Sequence, residues 1–207
     1  MKKLSYFVAL SLGLVAPAFA QVNVVPQVGM LSSILKNPSY SATSVALVPA
    51  AAATDIFCLN GSATKFVAIR RVVIGGSVGT AITTPFLIYR RTILDTGGTA
   101  ATSLAAPVPV PLYPGDSAAT ATAVAYTANP TINDSSPSLI AALTLSLALT
   151  TTAAPAEVVR EYGTSIDMFH KGLDMQKNAA QQICINLNGA TVASGLLNIN
   201  VTWQETN

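Results

Sequence analysis

The sequence predicts an all-β fold: an antiparallel, jelly-roll-like β-sandwich with an extended N-terminal arm after a signal peptide. Two observations carry the prediction. After residue 54 the chain consists of short apolar runs broken by Gly, Pro, Asn and Asp, the texture of many short strands and tight turns. Near the C-terminus, Leu197, Ile199, Val201 and Trp203 alternate with Asn198, Asn200, Thr202 and Gln204, so one strand face is apolar and the other polar.

Taken in order, residues 1–20 (MKKLSYFVALSLGLVAPAFA) read as a secretory signal. Lys2 and Lys3 form its positive end, an apolar stretch follows, and Ala18-Phe19-Ala20 gives a small-x-small cleavage site before Gln21. That stretch is short for a membrane span, and no later one reaches the roughly 20 apolar residues a spanning helix needs. The expectation is an exported chain without a stable span in its mature part, bound for the periplasm, cell surface or exterior.

Residues 21–53 show no sustained period and read as an arm or linker, with one strand at 44–48; residues 54–207 read as a single sandwich domain. Its expected strands are 55–59, 65–74, 84–93, 121–127, 139–149, 157–162, 165–170 and 182–187, followed by the alternating one. Turns fall at Asn60-Gly61, Gly75-Gly76, Gly97-Gly98, Asn129-Pro130 and Asn188-Gly189. LIAALTLSLAL at 139–149 has helix-favouring Leu and Ala, but Thr144 and Ser146 alternate with leucines, and we read a strand. Residues 97–119, rich in Ala, Pro, Ser and Thr, read as a long surface loop.

Charge narrows the function. Of eleven Lys plus Arg, Lys2 and Lys3 leave with the signal, so nine bases face nine acids in the mature chain. A balanced chain lacks the basic field that nucleic acid or anionic membrane would require. With only 10% of residues charged, solubility rests on Ser, Thr, Asn and Gln, a composition that favours packing against neighbours.

Catalytic patterns are missing. The chain has one histidine, His170, and a strand at 165–170 would turn it away from Ser165 and Asp167. HExxH, CxxC and phosphate-loop patterns do not occur, the glycine-rich Gly75-Gly76-Ser77-Val78-Gly79 lies between two strands and reads as a hairpin loop, and the acids lack calcium-loop spacing. We expect no enzymatic activity, no cofactor and no metal. Cys58 and Cys184 each sit in a strand-like run; they form either a disulfide, which export permits, or two buried thiols.

The unusual residues are Arg70, Arg71, Arg90 and Arg91, adjacent pairs inside apolar runs. Neighbours on a strand point to opposite faces, so neither pair clamps one anion. A hairpin centred near Thr80 would set Arg70 opposite Arg90, with Arg71 and Arg91 diagonal on the other face, and each like-charged pair would need neutralising. Glu157 and Glu161 are the internal candidates; an acid of a neighbouring subunit and an anionic ligand are the others.

The order of ATDIFCLNGSATKFVAIRRVVIGG, FLIYRRT, AYTANPT and ICINLNGATVASGLLNINVTWQET resembles small structural proteins of tailed phages and prophages over roughly 54–206. The resemblance implies a jelly-roll-like building block or decoration of a virion, without enzymatic activity. The secretory signal is a departure from that pattern. Expected partners are therefore further copies of the chain or other virion or surface proteins. A carbohydrate or cell-envelope polymer bound by an exported module is the alternative.

Overall fold

The computed structural model describes residues 37–149, 156–162, 173–192 and 194–207. The signal segment, residues 21–36 of the arm, the strand read at 165–170 and His170 lie outside them. The described chain is nearly all β: β1 (Ser39–Leu47), β2 (Ala53–Asn60), β3 (Phe66–Val78), β4 (Ile82–Arg91), β5 (Thr99–Ala100), β6 (Val110–Pro111), β7 (Thr122–Ala128), β8 (Ser138–Leu149), β9 (Ala156–Glu161), β10 (Leu173–Met175), β11 (Gln182–Ala190) and β12 (Leu196–Thr206). A single 3-10 turn, Ser103–Ala105, interrupts the loop after β5.

The strands form one curled, mixed sheet in the order β5-β7-β2-β11-β4-β8-β3-β12-β1-β6, with β9 and β10 also on β3. Its pairings are antiparallel except where β8 runs beside the end of β3, at Ser77 opposite Ala148 and Val78 opposite Leu149. Buried side chains of the curled sheet form a core that includes Tyr40, Phe57, Ile69, Ile74, Phe86, Ile88, Leu145, Ile185, Ile199 and Trp203. Trp203 stacks on Tyr40 at 5.7 Å between ring centres. Large buried aromatics dominate core energetics, because each removes on the order of 200 Å² from water.

β12 follows the alternation in its sequence: Leu197, Ile199, Val201 and Trp203 are buried and the residues between them are partly or fully exposed. The segment 138–149 is strand β8, as its alternating threonine, serine and leucines suggest. Gly75 and Gly76 are not a turn; they continue β3, and a Cβ on Gly76 would stand 2.3 Å from the Leu196 carbonyl oxygen. The glycine there lets β12 approach. β1, from the segment read as an arm, belongs to the sheet along β12, and the compact body starts at Asn37.

The expected β3–β4 hairpin is overturned. The two strands are joined by only residues 79–81, yet β8 is inserted between them and β4 pairs with β8 and β11. On the other strand, β3 has β12 along one edge and β10, β9 and β8 in succession along the other. Arg70 therefore does not face Arg90, and the like-charge pairing that adjacency suggested does not arise.

Candidate functional site

A bulge decides where the first arginine pair points. Arg71 lies opposite Thr202 and Ile69 opposite Trp203, so Arg70 is the extra residue on β3. Both arginines then face outward, contrary to the expected split between faces. Arg70 donates from Nε and Nη2 to the Gln204 side-chain oxygen at 3.1 and 2.9 Å. Arg71 stands across from Glu161, with 4.0 Å between charged atoms and both side chains largely exposed. Such a pair contributes little against water and salt. Glu157 is opposite Gly75 on the same strand pairing, four positions from Glu161.

The second pair does split. Arg90 donates from Nη2 to the Asp174 backbone oxygen at 2.9 Å, while Arg91 points to the other face and is 1% exposed. Three strands supply the surroundings of Arg91. On β11, Ile183, Ile185 and Leu187 enter the core, so Gln182, Cys184 and Asn186 line the opposite face. Cys58 on β2 lies directly across from Cys184. A bulge at Ile56 places Asp55 across from Asn186, on the same face as the cysteines.

Arg91 grips Asp55 with two hydrogen bonds, from Nε at 2.7 Å and Nη2 at 2.9 Å, and the two side chains are 2% and 0% exposed. Asn186 adds a further donor to Asp55. This two-pronged geometry suits guanidinium and carboxylate, and burial strengthens it once both charges are paired. The Cys58 and Cys184 sulfurs are 2.08 Å apart, forming a disulfide with a sequence separation of 126. Of the two readings open for these cysteines, the structure has the bonded one.

Asp95 closes the cluster from the segment after β4. Its Oδ2 lies 3.7 Å from the Cys58 sulfur and 3.9 Å from the Cys184 sulfur. Its Oδ1 accepts no hydrogen bond and is 3.8 Å from Arg91 Nε, which is already committed to Asp55. Two carboxyl groups thus share one guanidinium in a site closed to water. Burial pushes Asp95 up to about 7, and the adjacent Asp55 carboxylate pushes the same way, against the pull of Arg91 and the Gln182 amide. Burial, with smaller contributions from Asp95 and Asp55, also raises the Tyr126 hydroxyl.

Asp55, Cys58, Asp95 and Cys184 bring four potential metal-ligand atoms within 4.8 Å of one another. Their chemistry does not suit a cation. The sulfurs are bonded to each other, both Asp55 oxygens hold Arg91, and a metal would sit against a fixed guanidinium. What the arrangement can do is hold or release one proton at Asp95.

A second buried carboxylate pins the long loop. Glu205, 3% exposed, accepts from the Thr120 and Ala121 amides, the Thr120 hydroxyl and Trp203 Nε1. Neither Glu205 nor the Asp55–Asp95 pair was singled out by sequence spacing. Asp55 did carry a signal: it is an acid inside the apolar strand run TDIFCLN. No protein-family model, curated protein or solved structure matches the chain.

Proposed function

We propose that the chain is a non-enzymatic structural subunit, a sandwich-type block that self-associates or coats a larger assembly after export. A virion of the tailed-phage kind, as its decoration or minor structural component, or an exported surface layer is the assembly it suits. The observation that carries this reading is an apolar stripe on the long loop. Leu104, Val108, Val110, Leu112 and Tyr113 are all about half exposed or more, and Leu104 reaches 76%. On a chain whose charges balance once residues 1–20 are removed, such a stripe favours association over remaining in water.

The stripe's backbone narrows the mode of contact. Pro107, Pro109, Pro111 and Pro114 carry no amide hydrogen, so this border, where β6 pairs with β1 at Pro111 and Val110, is poorly suited to adding another strand. Contacts there run through side chains. The Cys58–Cys184 disulfide supports an oxidising destination, in line with a secretory signal.

A groove supports the alternative reading, an exported module for carbohydrate or envelope polymer. It has a volume of about 290 Å³ and is lined by Thr43, Val73, Glu157, Asn198, Ile199 and Asn200 over Gly75 and Gly76. Amide, hydroxyl and carboxylate groups around an apolar glycine floor match the hydrogen-bonding needs of a sugar ring. Light scattering on the chain from Gln21, over a range of concentrations, separates the two. The structural reading expects a mass that is a multiple of the monomer, and a strict monomer that binds soluble glycans overturns it.

A further inference from the structure

The Cys58–Cys184 disulfide lies beside a flap that touches the two sulfurs through one acid, Asp95, and that is tied to β2 elsewhere by the Asn129 side chain. Residues 92–98 and 129–136 are tied to each other. Thr96 and Thr131 exchange backbone hydrogen bonds at 3.1 and 2.7 Å, Asn133 donates to the Leu94 carbonyl, and Asp134 accepts from the Thr92 amide and hydroxyl. Those amide bonds hold Asp134 below the usual carboxylate range, so it stays charged and the flap stays internally joined near neutral pH.

Of residues 92–98, most are exposed, Ile93 included, whereas the Asp95 side chain is 0% exposed and rests on both sulfurs. Gly97 and Gly98, with φ of 65° and 72°, end the segment in a conformation that side-chain-bearing residues rarely adopt. The flap is thus a joined unit whose 129–136 half is held to β2 by Asn129 and whose 92–98 half has a glycine end and rests on the disulfide through Asp95.

Asp55 faces that plug from β2, Arg91 from β4 with the Tyr89 ring beside its guanidinium, and Tyr126 from β7; Asp134 of the flap also feels Arg91, β11 presents the uncharged Gln182 and Asn186, and the bonded cysteines do not titrate. One guanidinium cannot neutralise two buried carboxylates, so the closed arrangement requires a proton. We propose that Asp95 is a proton-operated latch, holding residues 92–98 over the disulfide while its carboxyl keeps a proton and freeing them when that proton is lost.

The sign follows from linkage. A released Asp95 titrates near the ordinary carboxylate value, and a seated one near 7. Opening therefore becomes easier as pH rises between those values, by up to about tenfold per pH unit, and levels off above the upper one.

The test is the rate of disulfide reduction by tris(hydroxypropyl)phosphine on the oxidised full chain. The phosphine takes up oxygen from water as the disulfide becomes two thiols. Oxidised glutathione in the same tube cancels the reagent's own pH dependence. The latch predicts a normalised rate that rises at least about tenfold from pH 5 to pH 7 and then flattens. The Asp95→Asn variant, a mimic of the protonated acid, should stay slow throughout. A flat wild-type profile overturns the proposal, and so does a rate that falls with pH, the sign of a seated carboxylate repelling reagent. Retention of the rise in Asp95→Asn overturns it too. If that variant fails to fold, amide hydrogen exchange of residues 92–98 in the wild type, corrected for intrinsic rates, takes its place. Unchanged protection between pH 5 and pH 7 would then reject the latch.

Discussion

Replacing Asp55 with Asn tests how the buried charges are shared. Asp55 is 0% exposed and takes two hydrogen bonds from Arg91, which is itself 2% exposed. Removing one partner of such a pair ordinarily costs about 3–5 kcal/mol, because the other charge stays buried. Here a substitute is at hand: Asp95 Oδ1 lies 3.8 Å from Arg91 Nε. Once Asp55 is neutral, one of the causes that raise Asp95 is gone while burial remains, so the Asp95 value falls and ionisation beside Arg91 becomes easier. At an effective dielectric near 20, opposite charges at 3.8 Å attract by about 4 kcal/mol, part of which is spent desolvating Asp95. We expect Asp55→Asn to cost about 2–3 kcal/mol at pH 7. With Asp95→Asn added, Arg91 keeps no acid within ion-pair distance, and the double variant should lose at least about 2 kcal/mol more than the sum of the single effects. Urea unfolding under non-reducing conditions, with unchanged denaturant slope, measures both. Additivity within about 0.5 kcal/mol would refute the sharing of Arg91 between the two acids.

Other expectations concern the same groups and the core. Asp95, whose folded value is raised, contributes stability at low pH that is lost as pH climbs through about 7, with a slope approaching about 1.4 kcal/mol per unit above the ordinary carboxylate value. Urea midpoints from pH 4 to 8 should show this fall, and Asp95→Asn should abolish it. Asp134, whose value is lowered, acts in the opposite sense: its contribution is present above the ordinary value and lost as the solution is acidified below it. Glu205→Gln keeps the shape but loses charge-assisted bonds to residues 120 and 121, costing about 2 kcal/mol and speeding amide exchange there. Trp203→Ala should cost about 3–5 kcal/mol in chemical unfolding, since it empties the space beside Tyr40 in the core.

The sequence made some of this legible because strand periodicity is local. The alternation from Leu197 to Trp203 names the buried face of β12, and the leucine spacing around Thr144 and Ser146 marks β8 as a strand. Pairing is not local. Arg70 and Arg90 looked like hairpin neighbours because only a short link separates their strands, yet β8, from fifty or so residues further on, fills the space between. The faces of Arg70 and Arg71 were misjudged because a one-residue bulge changes side-chain direction without a reliable sequence mark. The acid cluster stayed hidden because Asp55 and Asp95 are far apart in sequence and meet only when β2, β11 and β4 align beneath the flap. What pointed to it was chemical: Asp55 and Arg91 are charged residues inside apolar strand runs, and a buried charge requires a partner.

The central claim is that this is an assembling subunit whose exposed apolar stripe makes its contacts. Sedimentation equilibrium, comparing the chain from Gln21 with a variant carrying Val108→Ser, Val110→Ser and Leu112→Ser, tests it most directly. All three side chains are exposed, so the substitutions should leave the fold intact. The account predicts a concentration-dependent oligomer for the native sequence and a shift toward monomer for the variant. A native chain that stays monomeric at every concentration, or a variant that associates equally well, would contradict it.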